Sequence, residues 1–69
     1  MTKKEIEDIF SYHKPTEEQI PKYEAIRAGA KAFAEILNTN TPDSPDKTAA
    51  FRKLREAVMT ANAAVALNP

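Results

Sequence analysis

A chain of 69 residues with ten Lys plus Arg, ten Asp plus Glu and no cysteine is one domain at most and has no disulfide to staple it. A domain this small buries only about 60% of the surface its unfolded chain exposes; with no disulfide, and with the single His13 lacking a carboxylate at metal-ligand spacing, association with other copies is the expected support and no metal or cofactor is expected. Zero formal net charge gives no basic excess for duplex DNA, but a small anionic ligand needs only a few local cations.

Alanine is abundant, glycine occurs once, at Gly29, and hairpin dipeptides such as Asn-Gly are absent, so helix is favoured over strand throughout. The first predicted helix is short, about residues 2–9. Thr2 and Glu5 have capping-box spacing, and Ile6, Ile9 and Phe10 give it an apolar edge. Its charged start, Met1 to Glu5, is followed by no apolar stretch, so a signal peptide is not expected. Ser11 to Pro15 breaks the helical pattern. Pro15 biases Lys14 away from the α region, which predicts an extended connector over Tyr12 to Lys14.

The second helix is predicted from about Thr16 to Thr39. Thr16 and Gln19 form another capping-box pair, and Glu17 and Glu18 suit the positive end of the helix dipole. Pro21 either kinks this helix or marks a second start near Gln19. Tyr23, Ile26, Ala30, Phe33 and Leu37 then follow a three-four spacing that reads as one seam. Residues 40–45 are the clearest turn, with Ser44 as N-cap and Pro45 as the first helical position. The third helix is predicted to run from Pro45 to about Ala66, with Phe51, Leu54, Val58, Ala61 and Val65 as its seam.

Two seams of matched length joined by a short turn predict an all-α fold: one short helix and a long antiparallel hairpin, with arms about 30 Å long. Phe33 and Leu37 should face Phe51 and Leu54 near the turn. Ile26 and Tyr23 should meet Val58 to Val65 at the other end. Ala25, Ala28, Ala32, Ala57, Ala63 and Ala64 flank the seams. They either serve helix propensity alone or let further helices approach closely. Asn62, in a run of small residues, either fixes the register of a helix contact or lies exposed. No run approaches about 18 apolar residues, so a membrane-spanning helix is not expected and a cytoplasmic protein is the default.

The inventory of reactive groups is poor. There is no glycine-rich phosphate loop, no cysteine nucleophile, and no evident partner to orient His13. Glu17 and Glu18 are sequence neighbours, which do not face each other on a helix, so they make no acid–base pair. No catalysis is expected. A more informative set is Tyr12, His13, Lys14, Lys22, Arg27 and Lys31. An aromatic ring in a connector can stack on a base, worth about 1–3 kcal/mol. Arg27 and Lys31 share a helix face, and a guanidinium grips a phosphate in a two-pronged geometry that Lys cannot match. Read singly, Tyr12 can cap the core, His13 can be structural, and Arg27 and Lys31 can be a solvated face paired with Glu24 or Glu35.

The run Ile6 to Pro15 (Phe10-Ser11-Tyr12-His13-Lys14-Pro15 at its end), then Tyr23-Glu24 with Arg27 and Lys31, then Glu56-Ala57-Val58-Met59 with Ala61-Asn62-Ala63-Ala64, resembles the phage anti-CBASS cyclic-nucleotide sponge family. That family shares its helical hairpin with the phage anti-Thoeris sponges, and the resemblance covers about Ile6 to Ala66. It implies a hexamer that binds cyclic dinucleotides such as 3′,3′-cGAMP in pockets between protomers. It implies sequestration without cleavage, which keeps the host defence effector inactive in the cytoplasm of the infected bacterium. By the family pattern Tyr12 stacks on a base and Arg27 contacts phosphate, with His13 and Lys31 close by. The second, cyclic-trinucleotide site of some members uses an arginine near the end of the last helix. No basic residue follows Arg55 here, so the resemblance does not carry that site over. Two other readings stay open: a hairpin that docks on a larger partner with no nucleotide ligand, and a sponge for cyclic ADP-ribose derivatives.

Overall fold

The computed structural model describes residues 1–68. They form three helices, α1 (Lys3–Phe10), α2 (Ile20–Asn40) and α3 (Pro45–Leu67), with no strand among the described residues. In α1 the capping box is closed in both directions: the Thr2 hydroxyl accepts from the Glu5 amide at 3.1 Å, and the Glu5 carboxylate accepts from the Thr2 amide at 3.3 Å. At the far end His13 Nε2 donates to the Asp8 carbonyl, satisfying one of the acceptors that a helix terminus leaves unpaired.

The second helix starts at Ile20 rather than Thr16, so the later of the two starts allowed by Pro21 is the one realised. Pro21 has no N–H to donate to Glu17, and it fits the first turn of a helix, where that donor is not required. Thr16 to Gln19 is a turn closed by the predicted box: Gln19 Oε1 accepts from the Thr16 amide at 3.0 Å and Thr16 Oγ1 from the Gln19 amide at 3.2 Å. The third helix begins as predicted, with Ser44 Oγ accepting from the Lys47 amide at 3.1 Å and Pro45 in the first turn.

The two long helices pack against each other along their length, and α1 lies off the pair, beside Ala66 and Leu67 at the end of α3. Both ends of the hairpin are clasped by a polar side chain. Lys47 Nζ donates to the Asn38 and Thr41 carbonyls, each at 3.2 Å, and sits 3.4 Å from Asp43 Oδ1. Gln19 Nε2 donates to the Val65 carbonyl at 3.1 Å, across 46 residues of chain. The third-helix seam is as expected: Phe51, Leu54, Val58, Ala61 and Val65 are all half-buried. In α2 one position differs. Tyr23, Ile26, Ala30 and Leu37 are half-buried, but Ala34 takes the place expected of Phe33, which is 50% exposed. A small residue there lets the helices stay close, and the phenyl ring turns to the outer face.

No apolar side chain is fully buried; Gln19 is the one buried residue among those described. The molecule measures 45 × 29 × 14 Å with a radius of gyration of 15.2 Å, against about 11 Å for a compact domain of this length. It is a slab one helix pair thick, with two broad faces. One carries Arg27, Lys31, Arg55 and Met59. The other is a shallow apolar trough of small residues, Ala25, Gly29, Ala57 and Ala61 with Phe33, where the space beside Gly29 is open. Asn62 is half-buried in α3, and its shielded Oδ1 has no hydrogen-bond partner.

Candidate ligand-binding site

Tyr12, His13 and Arg27 line one shallow groove of about 380 Å³, together with Pro15, Ile20, Tyr23 and Glu24. Its construction follows from the chain. Ile20, Tyr23, Glu24 and Arg27 recur at helical spacing, so they share one face of the first two turns of α2. Residues 12–16 form neither helix nor strand. They are held against that face because the box at Thr16 and Gln19 fixes the entry to α2 and the His13 bond to Asp8 fixes the exit from α1. Tyr12 is 86% exposed, so its ring stands free beside the groove rather than capping the core.

The groove carries one guanidinium, Arg27, and one carboxylate, Glu24. Arg27 is exposed and forms no ion pair: the one salt bridge among the described residues is Lys47–Asp43. The pairs that helical spacing offered, Arg27 with Glu24 and Lys31 with Glu35, are not made. A flat ring and a free guanidinium on one groove can take a base on the ring and a phosphodiester on the cation.

Three of the candidate residues therefore come together, Tyr12, His13 and Arg27. Lys14 and Lys22 do not line this groove. Lys31, one turn beyond Arg27, lines the neighbouring groove between α2 and α3. Sequence reasoning assigned Tyr23 to the core seam only; it is half-buried there and also forms a wall of the groove. It missed Gln19 as a link between the helices, because nothing local announces a partner 46 positions away. No group of three or more His, Cys, Asp and Glu among the described residues could hold a metal ion. No helix is long and apolar enough to cross a membrane.

A family model, described as the Acb2/Tad1 hairpin domain, matches residues 2–66. The chain belongs to this family. The Acb2/Tad1 match takes in α1, the connector, α2 and nearly all of α3, and it is the anti-CBASS and anti-Thoeris sponge family that the connector and last-helix motifs resemble. Comparison with curated proteins finds no match, and comparison with solved structures finds none.

Proposed function

We propose that this protein sequesters cyclic oligonucleotide immune signals, cyclic dinucleotides such as 3′,3′-cGAMP, and blocks CBASS defence in the infected bacterium without cleaving them. The observation that carries the reading is the meeting of Tyr12, His13 and Arg27 on one groove at the start of α2, in a chain with an Acb2/Tad1 hairpin domain. Tyr12 stacks on a base, Arg27 binds a phosphate oxygen pair, and His13 holds the connector in place through Asp8. No step breaks a bond in the ligand.

Assembly belongs to the same reading. The chain exposes 5801 Å², about 1500 Å² more than the roughly 4300 Å² expected of a folded monomer of its mass. A standard interface removes about 800 Å² from each partner, so the excess amounts to roughly two interfaces per chain. The small-residue trough around Gly29 supplies a surface on which another helix can lie close, and the open groove gains a lid when a neighbouring chain covers it. A closed assembly of several copies, six by the family resemblance, satisfies both.

Calorimetry with 3′,3′-cGAMP tests the site. The Tyr12→Ala and Arg27→Ala proteins keep their helical circular dichroism and lose binding by at least about fivefold, each having lost a contact worth more than about 1 kcal/mol. Undiminished affinity in both variants refutes the assignment. Heating the saturated protein releases intact ligand; hydrolysed product in the supernatant refutes sequestration. A parallel titration with a cyclic ADP-ribose derivative decides between the two messenger classes.

A further inference from the structure

On the face that carries Arg27, a second groove of about 380 Å³ runs between the long helices, separate from the one that holds Tyr12. Its floor is apolar, built from the half-buried Phe51, Leu54 and Val58 with the exposed Met59, and it is flanked by two exposed cations, Lys31 from α2 and Arg55 from α3. Neither cation has an ion-pair partner. The residues three and four away from Arg55 on its helix are Phe51, Arg52, Val58 and Met59, so it has no acidic neighbour and one basic one. Lys31 has Arg27 one turn before it, and Glu35, one turn after it, makes no bridge to it.

Like charges at three- and four-residue spacing repel. Two such pairs, Arg27 with Lys31 and Arg52 with Arg55, stand on this face, and the glutamates at bridging spacing, Glu24, Glu35 and Glu56, make no bridge to them. Repulsion left standing beside an apolar floor is relieved by an anion that also brings flat apolar surface. We infer that Lys31 and Arg55 form a second ligand site, for a nucleotide: its phosphate between the two cations, its base on Phe51 and Met59. A guanidinium suits the phosphate, and a thioether suits the face of a ring.

The probes are adenosine 5′-monophosphate, adenosine and inorganic phosphate, titrated into the isotope-labelled full chain and followed by NMR. The monophosphate shifts the Lys31 and Arg55 amides and the Met59 methyl in a saturable way. The other two shift them at least about tenfold less strongly at equal concentration, because each offers only one of the two contacts. These shifts persist in the Tyr12→Ala/Arg27→Ala protein and vanish in the Lys31→Gln/Arg55→Gln protein. Their persistence in the former keeps the result independent of the cyclic-dinucleotide groove. The inference is overturned if the monophosphate leaves Lys31, Arg55 and Met59 unmoved, if inorganic phosphate alone reproduces its effect, or if the shifts survive the Lys31→Gln/Arg55→Gln change. The Met59 methyl is read in the wild-type protein, so the test stands even if a variant misfolds.

Discussion

Replacing Gln19 with Ala removes two hydrogen bonds while leaving the backbone of its turn intact. One is the bond from the Thr16 amide to Oε1; the other is the bond from Nε2 to the Val65 carbonyl. The return bond from the Gln19 amide to Thr16 Oγ1 uses the backbone and survives. Each lost bond is worth about 0.5–1.5 kcal/mol net, so the variant loses about 1–3 kcal/mol. For a domain of this size each kilocalorie moves the thermal midpoint by about 4–8 °C, which places the shift at about 5–20 °C. Gln19 is only 7% exposed, so water does not readily replace the missing partners. Thermal melts followed by circular dichroism, at matched protein concentration, measure it. Gln19→Glu separates the two halves: the carboxylate still accepts from Thr16, but it sets a buried negative charge against the Val65 carbonyl, so this protein melts at least as low as the alanine variant at neutral pH. A Gln19→Ala midpoint within about 2 °C of wild type, the range of an ordinary surface change, would refute the view that this amide holds the open end of the hairpin.

The clasp at the turn should depend on its lysine and not on its ion pair: Lys47→Met loses two carbonyl contacts and costs about 1–2 kcal/mol, while Asp43→Ala stays within about 0.5 kcal/mol, both read from urea unfolding. Phe33→Ser leaves the helices formed but weakens self-association, because the ring lies outside the seam; light scattering should show a smaller mean mass, and an unchanged mass would remove the trough around Gly29 from the interface. Asn62→Leu exchanges an unpartnered amide oxygen for a side chain of similar volume, and its melting midpoint is expected at or above that of wild type.

The elements carried by short-range chemistry were legible in the sequence. Thr2, Thr16 and Ser44 act within three residues of themselves, and Pro15, Pro21 and Pro45 restrict their own backbone, so the starts of α1 and α3, the turn at Thr16 and the connector could be read locally. The third-helix seam was legible because Phe51, Leu54, Val58, Ala61 and Val65 keep one three-four spacing from end to end, and Met59, apolar and next to Val58, falls outside it. The second-helix seam was less so. Phe33 and Ala34 are adjacent and both apolar, and which one turns inward depends on how closely α3 approaches, a property of the pair rather than of either helix. The groove was half visible for the same reason. Tyr12 and Arg27 announce their chemistry in the sequence, but their convergence, and the parting of Lys31 to a different groove, depend on the path of residues 12–16 across α2.

A slab 14 Å thick with no side chain among the described residues sealed away from solvent, save one glutamine, changes what mutagenesis reports. In an ordinary domain, positions that tolerate nothing trace the interior. Here there is no interior to trace. A saturation scan scored for 3′,3′-cGAMP binding would instead print the outline of whatever lies against the two broad surfaces; under the proposed function, intolerance at Gly29 or Ala57 maps a neighbour and intolerance at Tyr12 or Arg27 maps a cargo.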